Sequence, residues 1–572
     1  MNQRHPLFRP ALTTLALVLS CAMPAHANER ESLESLRQTT RALIDALVEQ
    51  GVLSRDKADA LIRSAQEKAR LAANEAGATG PASSSTSASG KPVLRVPYVP
   101  DSVRAQLRDE VKEEIVAQAR AERWGVSSVP SWVNNIKIDG DIRLRHQQDS
   151  ASSDNTSALT YVAAEIQNAN GITRMPDFAK YAENALGVQP LSDTSEDRSR
   201  QRVRLRLGLT AKVTDEVGVG LRLATGSATD RVSTNQTLGQ NFNKYQLFVD
   251  RAFVRLDPAE WVSIQGGRIP NPWFGTEMTW NENLNFEGFA ATFRQPAAEE
   301  SFAPFLTLGY FPLREATSPS RNSRSLWGAQ LGANLALDSR TRLKLGLAYY
   351  SYNNLEGRSD PNYAIVGSNV PVGVSYGGYE YPSGLRQRGN TVFETNPLLS
   401  GALDTDPIWG LAYRFKPLVL TAAAEFTHFS PFNILATAEY ANNTAFSAAD
   451  FRRRANPAFY NNVDPGGSRE GYQFKLAVGA TEVRDFQDWQ VAFSYRHVGS
   501  DAVLDAFTDS DLGLGGTNVR GYTLGFTYGL YRNTTLGMKY LAAENINSTI
   551  NSNFPDASYK VNSLQVDLNV RF

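Results

Sequence analysis

The chain has 572 residues and a formal net charge of −1. A balance this close to zero gives no global electrostatic attraction to nucleic acid. Cys21 is the one cysteine, so disulfides, thiolate metal sites and cysteine nucleophiles are excluded from everything after it, and the length exceeds one ordinary soluble domain.

Residues 1–27 read as a secretory signal. Arg4, His5 and Arg9 make a basic start, 11–22 a short apolar core, and Ala25-His26-Ala27 a small-x-small cleavage site. A membrane-spanning helix needs about 20 apolar residues, more than this core supplies. Lipidation at Cys21 is the competing reading, and bulky Leu19 fits it poorly. Segment 28–76 has helical spacing, with Leu33, Leu36, Thr40, Leu43 and Leu47 on one stripe. A hairpin, a short oligomeric coiled coil and a solvated helical tail all suit it. Residues 77–99 open on a Gly/Ala/Ser/Thr run and read as a flexible linker. A second helix is expected over 100–131, capped by Asp101 or Ser102 and closed by Pro130.

From 132 to 572 the period changes from helix to strand. About sixteen alternating segments follow: 136–146, 202–213, 217–227, 246–256, 261–269, 284–294, 302–311, 326–337, 340–352, 406–416, 418–429, 472–482, 488–498, 519–530, 534–544 and 560–572. Alternation alone allows a soluble sandwich or a transmembrane barrel. The connections decide between them. Short turns such as 214–216, 257–260, 338–339, 416–417 and 531–533 alternate with long polar stretches such as 147–201, 228–245, 353–405 and 430–471. Tight turns on one rim and long loops on the other are what a barrel with both termini on one side requires. With 22 Tyr and 27 Phe, rings are plentiful, and Trp132, Trp261, Trp409 and Trp489 stand at strand starts, where a bilayer interface favours them. The expected fold is an all-β transmembrane barrel of about 16 antiparallel strands, with a helical periplasmic extension at the N-terminus.

If apolar residues face lipid, their neighbours face a lumen. That parity turns Arg143, Arg145, Arg202, Arg204, Arg206, Arg222, Arg251, Arg294, Arg342 and Lys344 inward, against fewer acids: Asp139, Asp141, Glu425 and Asp567, with Glu287 a further candidate. A basic wall lowers the energy of an anion in a narrow pore, so modest anion preference is expected. The stretch 267–275 is the sharpest local feature. Pro270 and Pro272 cannot donate to a ladder, so the backbone must leave the sheet there. Asn271, Trp273 and Phe274 then either fold inward as a constriction with Arg268 at its edge, or form a rigid turn against the rim. In the first case Arg268→Ala should raise conductance or weaken anion preference.

The last segment alternates Leu564, Val566, Leu568, Val570 and Phe572 with Gln565, Asp567, Asn569 and Arg571, and it ends on an aromatic residue. His146, His428 and His497 show no metal-ligand spacing, and neither cofactor nor enzyme chemistry is expected. Asp501, Asp505, Asp509 and Asp511 cluster near Gly513 but miss the calcium-loop pattern. A solvated acidic loop is the preferred reading.

The signal, the helical N-terminal part, the Gly-Arg-x-x-Asn-Pro-aromatic turn, the strand Asn285–Phe293 and the final Arg571-Phe572 together resemble the "putative porin" family of Gram-negative outer membranes, and more distantly phosphate-selective porins. The resemblance implies a homotrimeric diffusion channel in the outer membrane. It also implies that Phe572 is read by the barrel-assembly machinery. The expected partners are small hydrophilic solutes or anions and outer-membrane lipid. A non-conducting structural or adhesive barrel, anchored by its N-terminal helices, is the alternative.

Overall fold

The computed structural model describes residues 135–157, 172–174, 196–295, 301–316, 322–359, 363–366, 370–373, 378–395, 408–429, 431–547 and 557–572. The expected signal 1–27, the helical segments 28–76 and 100–131, the linker 77–99 and Trp132 lie outside these residues.

Sixteen strands form one closed antiparallel barrel. They are β1 (Ile136–Ala151), β2 (Arg198–Lys212), β3 (Val217–Ala224), β4 (Phe248–Ala259), β5 (Val262–Pro270), β6 (Asn285–Arg294), β7 (Phe302–Arg314), β8 (Arg324–Asp338), β9 (Thr341–Asn353), β10 (Pro417–Phe429), β11 (Phe432–Asn443), β12 (Glu470–Gly479), β13 (Trp489–Val498), β14 (Val519–Tyr531), β15 (Thr534–Asn545) and β16 (Lys560–Arg571). Each strand pairs with the next, and β1 pairs with β16 from Asp141↔Arg571 to Ala151↔Val561, so the ring has no free edge. Backbone bonds between Gly140 and Phe572, at 2.9 and 3.0 Å, finish the seam. A Cβ at Gly140 would lie 2.5 Å from the Phe572 ring, so glycine there makes room for the terminal aromatic.

The burial pattern is inverted relative to a soluble protein. Large apolar side chains such as Leu144 (49%), Phe289 (63%) and Leu331 (61%) are exposed on the outer face, while Arg145 (3%), Asp149 (3%) and Gln565 (0%) are buried inside. That is the arrangement of a wall with lipid outside and a polar interior. Rings gather on the outer face near both rims. Trp261 stacks on Phe293 and Phe432 packs on Trp489 by the short turns. Tyr310–Trp327 and Tyr472–Tyr495 lie nearer the long loops.

The strand count agrees with the sequence reading, but two assignments behind it do not. Segment 406–416 is not a barrel strand. Only Trp409–Leu411 is extended, in a small sheet with Val392–Glu394 and Ile172–Thr173 on the long-loop side. Its alternating Trp409, Leu411, Tyr413 and Phe415 are all buried, so the same period of two packs a protein core here. Trp409 therefore marks no membrane rim, and Lys416-Pro417 is no turn: Pro417 opens β10. Conversely β11 lies inside the stretch 430–471 that had read as loop. Its pattern is faint because Ala436 and Ala438 share the outward face with Phe432 and Tyr440, while Leu435 joins Glu439 on the inward one. Helices α1 (Ala448–Arg454), capped by Ser447, and α2 (Pro457–Tyr460), capped by Asn456, follow β11. They bury Phe451 and Tyr460 against Phe393 and Tyr413.

The interior has two unlike halves. Toward the long loops the inward residues of β5–β9 are mostly apolar or absent: Ile269, Phe286, Phe311, Leu326 and Tyr350, with Gly309, Gly328 and Gly346 between them, while Lys344, Arg342 and Arg294 follow toward the short turns. Along β1–β4 and β12–β16 they are charged or polar. The pore belongs to the second half.

Candidate pore and its constriction

Strand β2 carries Arg198, Arg200, Arg202, Arg204 and Arg206 at every second position. All five therefore share the inward face, with rungs about 6.8 Å apart and a file roughly 27 Å long, close to the height of the apolar band of a barrel. Register sets Arg143 beside Arg204 and Arg145 beside Arg202. Carboxylates neutralise only part of this file. Asp141 is shared by Arg204 (2.7 Å) and Arg206 (2.5 Å). Asp149 takes Arg200 at 2.5 Å. Asp567 takes Arg145 through two contacts of 2.6 and 2.8 Å and stands 4.0 Å from Arg143. Arg202 has no carboxylate within 4.0 Å among the described residues, and its one bond is to Gln147 at 3.3 Å.

On β3 and β4, Arg222 and Arg251 are register partners. Arg222 pairs with Asp250 at 2.5 Å and Arg251 donates to Asn285 at 2.7 Å. Arg342 lies on the inward face of β9 by the short turns, mostly exposed and 3.6 Å from Glu425. Arg294, also exposed, ends the inward row of β6. Lys344 is lodged 4.4 Å from the Phe274 ring and 5.3 Å from that of Phe305.

Arg268 is out of step with its buried neighbour Ile269 and, with its register partner Glu287, lines a cavity of about 410 Å³ that also takes in Phe286, Phe311 and Phe507. There the two form an ion pair, and Arg268 Nε donates to the Asp250 carbonyl at 2.9 Å.

The loop that begins with Pro270, Asn271 and Pro272 folds into the lumen. Asn271 Oδ1 accepts from Trp273 N at 3.0 Å and tightens the turn. Trp273 then lies on the inward glycines: a Cβ at Gly328 would be 2.6 Å from its ring, and one at Gly309 2.9 Å. Tyr350 and Phe311 meet it edge-on. Phe274 exchanges two hydrogen bonds with the Gln330 side chain, at 2.8 and 2.6 Å. Further along, Thr276 N donates to Glu439 Oε2 at 2.6 Å and Thr279 Oγ1 to Glu439 Oε1 at 2.7 Å. Glu439 stands on β11, across the lumen from the loop's root.

A second loop, 499–518, is also folded in, which overturns the expectation of a solvated acidic loop. Asp501 is buried and accepts from Thr391 N (2.8 Å), Thr391 Oγ1 (2.7 Å) and Ser500 Oγ (2.6 Å). Asp505 accepts from the Tyr381 hydroxyl. Asp509 reaches Arg496 at 2.9 Å and Asp511 reaches Arg145 at 3.4 Å. Glu277 of the first loop also meets Arg496, at 3.2 Å. Burial pushes the Glu277 carboxyl up, but Arg496 and Lys475 outweigh it and hold it at about 2. Burial likewise opposes ionisation of Asp511, and the Arg145, Lys539 and Arg143 charges overcome it and keep the group low. Both acids are therefore charged at neutral pH.

Two polar cavities run along the arginine file. The outer one, about 520 Å³, takes in Arg198, Arg200 and Arg202. The inner one, about 590 Å³, takes in Arg143, Arg145, Arg496 and Lys539 on one side and Glu277, Glu282, Asp509 and Asp511 on the other. Both are lined by Val232, Ser233 and Ser510. The division between them is thus made by residues 232–233 and loop 499–518, together with the proline-led loop. Sequence reasoning missed Arg198 and Arg200 because the second strand was started at 202. It missed Glu439 because its strand was not recognised.

A closed barrel with basic residues inside and folded-in loops is a channel architecture, and the sequence family agrees: the model of the family described as "Putative porin" matches residues 37–572. The chain belongs to that porin family. This porin is an outer-membrane protein. No curated protein matches it in sequence. Among solved structures, the outer membrane channel DcaP of Acinetobacter baumannii is similar at 10% identity and TM-score 0.36, over 76% of this chain and 97% of that one. The anion-selective porin from Comamonas acidovorans is similar at 10% identity and TM-score 0.37, over 76% and 99%. OmpT of Vibrio cholerae, in a trimer form, is similar at 9% identity and TM-score 0.35, over 76% and 99%. Superpositions this loose carry no information about residues or solutes.

Proposed function

We propose that this porin lets small hydrophilic solutes cross the outer membrane by passive diffusion, with a moderate preference for anions. The observation that carries the reading is the arginine file on β1 and β2, whose member Arg202 has no carboxylate partner among the described residues. A fixed positive wall in a narrow aqueous path lowers the energy of an anion and raises that of a cation. The acids of the two folded-in loops oppose part of that field, which keeps the preference moderate. No chemical step is needed, since solutes move down their own gradients.

The test is a planar-bilayer recording of the purified full chain in a potassium chloride gradient. A reversal potential of the sign set by chloride supports the reading, and one set by potassium overturns it. The rival, a structural or adhesive barrel, draws on the aromatic packing that fills the β5–β9 side of the lumen. It predicts no conductance in the same recording. Membership of the family favours a homotrimer with the N-terminal helices in the periplasm, and cross-linking the detergent-purified protein to a three-chain band would support that assembly.

A further inference from the structure

We propose that the outer cavity is a binding site for organic monoanions that carry an apolar body. The inference rests on the anion-preferring reading above and adds a place and a solute class to it.

The basic wall is formed by Arg198, Arg200 and Arg202, which reach the cavity from one face of β2, while Asp149, Glu196 and Asp230 also line it and offset part of that charge. Arg200 and Arg202 are each engaged on one edge only. Arg200 NH2 bonds Asp149 at 2.5 Å and Arg202 NH1 bonds Gln147 at 3.3 Å. Both guanidinium groups line the cavity, on adjacent inward rungs about 6.8 Å apart, and a carboxylate is the acceptor that matches a guanidinium edge.

The other side of the cavity is different in kind. Leu385, Leu514, Val561 and the Tyr559 ring line it, and Arg388 lies over that ring with its guanidinium 4.3 Å from the centroid. The space of about 520 Å³ would hold roughly 17 water molecules at ~30 Å³ each. A small inorganic anion leaves most of it unfilled and gains nothing from leucine and valine. A carboxylate on an aromatic or branched body meets both walls at once: its charge meets the arginines, and its apolar part removes that surface from water.

Phenylacetate, acetate and inorganic phosphate are the probes, each added to the bath of a bilayer holding the full-length channel, with chloride current as the readout. Phenylacetate should reduce the current half-maximally at a concentration at least tenfold below acetate or phosphate. Arg202→Ala should weaken phenylacetate tenfold or more. Leu385→Asn should weaken phenylacetate several-fold more than it weakens acetate. Heat-modifiable migration of each variant on gels confirms that its barrel is intact. If chloride is preferred but phenylacetate acts no more strongly than acetate, this inference is wrong and the proposed function stands. A phenylacetate effect that survives both substitutions also overturns it, since the site would then be elsewhere. A potassium-selective or silent channel overturns the proposed function itself, and this inference with it.

Discussion

Removing the Glu439 carboxylate tests how far the proline-led loop is held in the lumen by its anchor on β11. Glu439 accepts from Thr276 N at 2.6 Å, Thr279 Oγ1 at 2.7 Å and Thr421 Oγ1 at 3.0 Å. Only the Thr276 and Thr279 bonds tie the loop, since Thr421 is the register partner of Glu439 on β10; hydrogen bonds to a charged group are worth about 1.5–3 kcal/mol each, and the two do not add fully because the Thr279 hydroxyl can rotate to another acceptor. The Thr276 N–H cannot rotate. Glu439→Ala should therefore cost about 4 kcal/mol of loop docking, or close to a thousandfold in the docked-to-undocked ratio at 1.4 kcal/mol per tenfold. Glu439→Gln keeps a carbonyl for Thr276 and can offer its amide to a threonine oxygen, so about 1–2 kcal/mol is expected. Single-channel recording reads this as open-channel noise and transitions to larger conductance, rising from wild type through Glu439→Gln to Glu439→Ala. The Trp273 seat and the Gln330 bonds remain, so the loop should flicker rather than leave. An alanine variant as quiet as wild type, at the same conductance, would mean that this carboxylate does not hold the loop.

Gly328→Val should displace Trp273, because a Cβ would stand 2.6 Å from its ring, and should raise mean conductance; unchanged conductance would place the indole elsewhere. Arg268→Ala should leave conductance and reversal potential unaltered, since Arg268 forms an ion pair with its register partner Glu287. Glu394, in the small sheet outside the barrel, is pushed up to about 7 by burial. An ordinary carboxyl in the unfolded chain ionises near 4.5, so between those values the folded cap retains a proton that the unfolded chain has lost. Cap stability should fall by roughly 3 kcal/mol as pH rises through that window and level off above about 7. Hydrogen exchange at residues 392–394 at pH 5 and pH 8 would show the fall, and Glu394→Gln should abolish it. Deleting Phe572 removes the ring over Gly140 and two backbone bonds at the seam; the fraction of heat-modifiable barrel recovered from cells should drop, and an undiminished yield would count against a role in assembly.

Much of the wall is legible in the linear chain because strand parity is local. Arg143, Arg145, Arg204 and Arg206 can be turned inward from a period of two alone, and the coordinates place them side by side. The same rule fails where an alternating segment packs against protein instead of lipid. Trp409, Leu411, Tyr413 and Phe415 carry a stronger alternation than β11 does, yet they are buried in a loop cap. Hydrophobic patterning reports that one face avoids water and cannot say what covers it.

The order of strands, the side on which long loops fall and the basic sign of the lumen follow from periodicities and turn residues within the chain itself. Contacts between residues far apart decided the rest. Loop 271–284 reaches Glu439 and Arg496 on distant strands and loop 499–518 reaches Arg145 across the β1–β16 seam, and only the closed ring brings those partners within bonding distance. Which arginines stay unneutralised, and where the path narrows, are therefore properties of the folded barrel. A carboxylate's position relative to a charge hundreds of residues away has no signature in either local stretch.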